Sequence, residues 1–275
     1  MTSEIIYLNE LDNLDIGEFK LNLNSLNKDK VFLDEEVFIN NKLLSFKNKI
    51  ITNLEDNNFT IIKNFGTSDD KYIFLNLLIS KKLYFSEKLD AYLYSFNTQI
   101  ATTTLHEDLH SGGFHTDFSF QSNIPDFVSL QCLETDPKYP YLGRNYIANS
   151  IEIFQILIKK YNLSEKYLLN IQFPYTFGDK TIWTNPFSKI NNKIEMKIHT
   201  KMIDITKLKK IHFVDKIPLN ELINQLSLHL SSDFVLNKGD IAIFSNKYSI
   251  HKRGECSIDL INNKSRELNS MRFFI

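Results

Sequence analysis

Gly112-Gly-Phe-His115-Thr-Asp117-Phe-Ser-Phe120 is the stretch on which the reading of this chain turns. In extended backbone, side chains at i and i+2 leave the same face, so His115 and Asp117 can grip one ion together. Gly112-Gly113 breaks the chain just ahead of the pair, and aromatic residues stand directly behind it. The pair is therefore expected on a strand.

Moving outward, the next informative stretch is Leu236-Asn-Lys-Gly-Asp240-Ile-Ala-Ile-Phe-Ser-Asn-Lys-Tyr-Ser-Ile-His251, a Gly-Asp turn feeding a short apolar strand that leads to a histidine. Arg266 follows 266 − 251 = 15 positions later, ahead of a final strand. Two histidines and one carboxylate on one face of an iron form the facial triad of non-haem Fe(II) oxygenases, with open positions for a bidentate 2-oxo acid and dioxygen. The far carboxylate of such an acid needs a buried cation, and a guanidinium matches it with two parallel hydrogen bonds. Arg266 can fill that role.

Each part taken alone is weak. With seven histidines in the chain, about one His-x-acid pair arises by chance, and His106-Glu-Asp108 also fits. His115-Thr-Asp117 is preferred on its aromatic context. A lone His251 reads more naturally as a surface or core histidine, and a lone Arg266 as a solvated charge. The joint order of His-x-Asp, long insert, Gly-Asp-strand-His, and Arg before a terminal strand is what carries weight. His106 and His110 are candidates for a lid over the site; His199, His212 and His229 have no ligand-like neighbours in sequence.

On these residues the chain resembles the taurine dioxygenase and clavaminate synthase-like group of Fe(II)/2-oxoglutarate oxygenases, over roughly residues 55 to 275. His115-Thr-Asp117 resembles the proximal motif of the group, and Pro125–Leu133 the strand that follows it. Gly239-Asp240 through His251-Lys-Arg253 resembles its "GD…N…HGR" stretch, with Lys252 in place of the usual Gly. Asn58–Phe65 is similar to an early strand of the group, and Arg266-Glu-Leu268 to the start of its "R-x-L-x-R" signature. The second Arg of that signature falls on Ser270, with Arg272 two places further on. Gly143-Arg-Asn145 stands where the group has a "G-x-T" whose Thr touches the cosubstrate, so Asn145 donates that bond or Arg144 changes it.

The resemblance implies a mainly β fold with flanking helices (α+β), a double-stranded β-helix or cupin-like jelly roll. It implies Fe(II) on His115, Asp117 and His251, 2-oxoglutarate as cosubstrate on Arg266 and Asn145, and dioxygen as oxidant. The outcome would be hydroxylation or desaturation of an unactivated C–H bond in a small molecule, an amino acid or a derived biosynthetic intermediate. Family halogenases replace the ligand Asp with a small residue, so Asp117 argues against halogenation. A non-catalytic jelly roll that binds a ligand or partner is the rival from another class, since sites are grafted on common folds. A metal-dependent hydrolase is weaker, because no fourth ligand or general base stands out.

The bulk composition agrees with an ordinary globular protein. The 275 residues carry a net charge of −1, with 32 basic and 33 acidic side chains mixed along the length, so no basic surface for nucleic acid is expected. Cys132 and Cys256 lie at no metal-finger spacing and read as small buried residues. With no basic-apolar leader and no long apolar run, a cytoplasmic protein that does not enter the membrane is expected.

One domain over 1–275 is the economical organisation, residues 1–54 forming an extension of helix and strand pieces packed on the jelly roll. Strands are expected at Asn58–Phe65, Ala91–Thr104, Pro125–Leu133, Phe234–Leu236, Ile241–Phe244 and Met271–Ile275. Helices are expected near Leu43–Leu54 and at Tyr72–Leu83, Ser150–Tyr161 and Leu219–Leu230. Gln172–Asn192 reads as irregular, and its Trp183 as core. Asp240 reads as a turn-former, and Asn246 as a hydrogen-bonding support or turn cap.

Overall fold

Ile241-Ala-Ile-Phe-Ser245 is buried at every position, as a strand covered on both faces must be. In the computed structural model, which describes residues 5–7, 41–87, 90–100, 107–208 and 213–275, it lies near the middle of the larger sheet. The elements run β1 (Ile5–Tyr7), α1 (Asn41–Asn57), β2 (Phe59–Lys63), α2 (Asp69–Ile79), β3 (Lys82–Leu83), β4 (Tyr94–Asn97) and β5 (Phe127–Glu134). Then come β6 (Asn145–Asn149), α3 (Ser150–Lys159), α4 (Glu165–Asn170), β7 (Phe173–Phe177), β8 (Lys180–Thr184), β9 (Phe187–Ile190) and β10 (Lys193–Met196). The chain continues through β11 (Phe213–Val214), β12 (Ile217–Pro218), α5 (Leu219–Leu230), β13 (Ser232–Phe234), β14 (Ile241–Ser245), β15 (Ser249–Arg253), β16 (Ile258–Asp259), β17 (Lys264–Ser265) and β18 (Glu267–Phe274).

The large sheet has seven strands in the order β1-β2-β14-β5-β18-β3, with β4 also on β18. Strand alternation divides its residues between two cores. Ile62, Ile241, Ile243, Met271 and Phe273 face α1 and α2, meeting Phe46, Ile50, Leu54, Tyr72 and Ile73. Phe59, Ile61, Val128, Ala242, Phe244 and Leu268 point the other way and meet Ile147 of the small sheet, whose order is β13-β6-β15. A third cluster packs the far side of β6 and β15 against α3, α5 and the strands β7, β9 and β10. The result is mainly strands with flanking helices, as expected.

Most expected elements are present, with instructive differences. The second helix starts at Asp69 rather than Tyr72, because the Ser68 hydroxyl accepts from Lys71 N and two acidic residues suit the first turn; it ends at Ile79, and Lys82–Leu83 is a strand. The Ala91–Thr104 strand shortens to Tyr94–Asn97, with residues 101–104 outside those described. The short strand expected at Phe234–Leu236 sits at Ser232–Phe234, and the last strand begins at Glu267 rather than Met271.

The clear correction is Gln172–Asn192, which holds β7, β8 and β9. Gly178 turns the first hairpin at φ +56, and Asn191 and Asn192, at φ +48 and +63, form the two-residue loop of the second. Trp183 lies on the outer strand and is 44% exposed, so it is not core. Of the N-terminal extension, residues 8–40 lie outside those described; β1 pairs in parallel with β2, and α1 packs on the large sheet.

Candidate metal centre

β14 leaves the large sheet at Ser245 and, after Asn246-Lys247-Tyr248, returns as β15 in the small sheet. His251 is thereby held between the two sheets. The His115 segment lies beside it. The two residues exchange backbone hydrogen bonds, His115 N to His251 O and His251 N to His115 O, both 2.9 Å. His115 is not on a regular strand, as had been expected; it forms isolated bridges, to His251 on one side and His199 on the other. Asp117 opens a turn instead, and Phe118 takes a left-handed φ of +58. Asn246 holds this turn: its Oδ1 accepts from Asp117 N (2.7 Å), and its Nδ2 donates to Asp117 O (3.0 Å) and Pro125 O (3.2 Å). The expected supporting role of Asn246 is thus a two-point clamp on the backbone of Asp117, tied by a third bond to Pro125.

His115, Asp117 and His251 converge, one ligand atom from each lying within 4.8 Å of the others. Asp117 Oδ1 is 3.6 Å from His115 Nε2 and 3.5 Å from His251 Nε2. His115 Nδ1 lies 2.8 Å from Gly113 O, a bond that places the proton on Nδ1 and leaves the Nε2 lone pair free for a ligand. Their side chains are 25% (His115), 14% (Asp117) and 15% (His251) exposed, so the cluster can be reached from solvent. Burial, reinforced by the neighbouring His251 and His199, holds His115 well below the usual histidine range. Burial alone would raise the Asp117 carboxyl; the Arg272 guanidinium, then His251 and His115, overcome it and hold the group well below the usual carboxylate range. A neutral imidazole beside an ionised carboxylate is the state a divalent cation requires.

Arg266 lies deeper, 4% exposed. Its Nη2 donates to Asn145 Oδ1 at 2.8 Å, and its Nη1 approaches Cys256 Sγ at 3.9 Å. Among the described residues no carboxylate pairs with it. Asn145 Nδ2, also buried, has no partner. The fold therefore brings together two groups, Arg266 and Asn145, that lie 121 residues apart in sequence.

Two residues at the site were given no role by the sequence reading. Arg272 Nε donates to Asp117 Oδ2 at 2.7 Å. His199, set aside as lacking ligand-like neighbours, stacks on His115 with ring centroids 4.8 Å apart and planes 22° apart. Alternation along β18 from Arg266 through Leu268 and Ser270 reaches Arg272 on the same face, a signal that was available. His199 follows β10, beyond the stretch read as irregular, and no local pattern marks it. His106 lies outside the described residues, as does His212; His110 is exposed, with its carbonyl accepting from Arg253 Nη2. Lys252 places its ammonium over the rings of Phe114 and Tyr146 at 5.3 and 4.9 Å.

No protein-family model and no curated protein sequence matches the chain. Solved structures do. An asparagine oxygenase in complex with Fe(II), 2S,3S-3-hydroxyasparagine and succinate aligns over 84% of this chain and 79% of its own, with TM-score 0.66 and 12% identity. A taurine dioxygenase from Burkholderia xenovorans aligns over 83% and 81%, with TM-score 0.59 and 14% identity. The non-heme iron oxygenase OrfP, in complex with Fe, succinate and (3S)-hydroxy-L-Arg, aligns over 84% and 79%, with TM-score 0.55 and 11% identity. The likeness is one of fold.

Proposed function

We propose that this chain is a non-haem Fe(II)- and 2-oxoglutarate-dependent oxygenase of the taurine dioxygenase and clavaminate synthase-like family, acting on a small molecule in the cytoplasm. The two facing sheets are the walls of its double-stranded β-helix, and residues 1–275 act as one catalytic domain. One observation carries the reading: a two-histidine, one-carboxylate cluster is bound by Arg272, and on the same face of that run stands a second, buried guanidinium, Arg266, which no carboxylate among the described residues pairs. Removing a charge from water costs several kcal/mol unless it is paired, so Arg266 is built for an anion. The three donor groups fit iron, since imidazole and carboxylate in a facial set with open positions are its usual protein ligands.

His115, Asp117 and His251 hold the metal. Arg266 takes the distal carboxylate of 2-oxoglutarate through paired hydrogen bonds, and the unpartnered Asn145 Nδ2 supplies a third donor. When bound, iron and the 2-oxo acid supply dioxygen activation, with the acid leaving as succinate and carbon dioxide while a C–H bond of the substrate is oxidised. The chain's part is to orient the ligands and keep the reacting centre dry. The fold's neighbours hold hydroxylated asparagine and arginine, which supports an amino acid or amino-acid-derived substrate and hydroxylation as the outcome.

The test is an anaerobic titration with Fe(II) and 2-oxoglutarate, followed by visible absorption. A weak charge-transfer band on adding both supports the chelate; its absence from well-folded protein overturns the reading in favour of a non-catalytic jelly roll. His115→Ala or His251→Ala should remove the band while circular dichroism is unchanged. Arg266→Ala should weaken 2-oxoglutarate binding by about 2–5 kcal/mol, the usual cost of breaking a buried charged pair, and unchanged affinity would remove Arg266 from the role.

A further inference from the structure

Among the described residues Arg272 is the one cation in direct contact with the proposed metal ligands, and its contact is asymmetric. It binds Asp117 Oδ2 through Nε at 2.7 Å, while Oδ1 of the same carboxylate faces both histidine Nε2 atoms at 3.5 and 3.6 Å. Arg272 and Asp117 are 17% and 14% exposed, so this is not a solvated surface pair. The guanidinium is supported from below: its Cζ stands 5.3 Å from the centre of the Phe118 ring, and Phe118 is itself packed on Tyr84 at 4.8 Å. Phe118 reaches that place through a left-handed backbone, φ +58, a conformation costly for a bulky residue that persists only where its surroundings demand it. The turn after Asp117 is thus shaped to put a ring under Arg272.

We propose that Arg272 is a positioning residue for the metal: it occupies Oδ2 of Asp117 and so presents that carboxylate to the ion through Oδ1 alone. This rests on the triad being the metal site. A carboxylate free to bind through both oxygens would fill a further position on the ion; one held by Arg272 leaves that position open. Partners that orient a ligating group in this way commonly contribute ten- to a hundredfold in metal affinity or activity.

Charge and positioning make opposite demands, which allows a clean test. Removing a cation beside a dication strengthens metal binding if Arg272 merely competes for Asp117, and weakens it if Arg272 positions the ligand. Co(II), a spectroscopic substitute for iron, is titrated anaerobically into the wild-type protein and the Arg272→Gln, Arg272→Lys and His115→Ala variants, with calorimetry and visible absorption as readouts. The expected result is a dissociation constant about ten- to a hundredfold higher for Arg272→Gln, with an altered ligand-field spectrum. Arg272→Lys, which keeps the charge and also guards against a misfolded Gln variant, recovers part of the affinity. Equal or tighter binding by Arg272→Gln with the wild-type spectrum overturns the inference and leaves the metal site standing. No binding by the wild-type protein, or undiminished binding by His115→Ala, overturns the metal site itself and the role of Arg272 with it.

Discussion

At the residue scale, the site depends on groups whose ionisation is set by burial. His199 lies against His115, and burial is the main reason its pKa falls to about 4, with Asp117 pulling the other way. An unfolded histidine titrates near ~6.5, so between about 6.5 and 4 the unfolded chain takes a proton that the folded one refuses. Stability must then fall as pH drops through that window, by at most about 3 kcal/mol for this group. Urea denaturation of metal-free protein at pH 7.5 and pH 5 should show the loss, and His199→Gln should reduce it; an undiminished pH slope in the variant would assign the loss to other groups. The three proposed metal ligands were legible in sequence because chemistry restricts such residues to few types in a fixed order. Arg272 was less so, since it stands two places beyond Ser270, where the resemblance directs attention. His199 was invisible, because its meaning comes from a cross-chain bridge and not from its neighbours in sequence.

Among the elements, those with a strong period were readable: Leu219–Leu230 and Ile241–Ser245 fall almost where apolar spacing put them. Hairpins β7–β8 and β9–β10 were missed because their strands are short and partly exposed, and their signal is the left-handed turn chemistry of Gly178 and Asn191-Asn192. The loop before β6 shows how such chemistry reaches the site. Gly143 has φ +74, and a Cβ there would sit 2.6 Å from Asp136 Cβ. Asp136 cannot yield, since its carboxylate accepts from Lys138 N at 2.9 Å and Ser257 N at 2.8 Å and from the Ser257 hydroxyl. Gly143→Ala should cost about 1–3 kcal/mol in urea denaturation, as backbone strain of this kind does. It should also raise the 2-oxoglutarate dissociation constant by displacing Asn145, two residues along. Wild-type values for both would show that the loop absorbs the methyl group elsewhere.

Across the whole molecule, the proposed ligands come from distant parts of the chain: His115 and Asp117 from a connecting turn, His251 from the small sheet, and Arg266 from just before β18 of the large one. Anything that binds this arrangement and not the unfolded chain must stabilise the whole. Mn(II) plus 2-oxoglutarate at a hundred times the dissociation constant should add about 2.7 kcal/mol, a rise in Tm of several degrees in differential scanning fluorimetry. No shift in the wild-type protein, or an equal shift in His251→Ala, would speak against a shared site. The mainly β, helix-flanked architecture was legible from alternation and apolar runs, whereas the division into two facing sheets depends on long-range pairing that no local window contains. β18 adds a consequence for how such a chain can change over generations. Arg266 and Arg272 belong to the same face of one extended run, although the β5 side of the pairing shifts register between Glu267 and Leu268. Substitutions between them leave that geometry alone, but adding or deleting a single residue there would turn one arginine to the opposite face. This segment should therefore accept exchanges of similar side chains while rejecting every single-residue insertion or deletion, a signature that a library of such length variants would read directly.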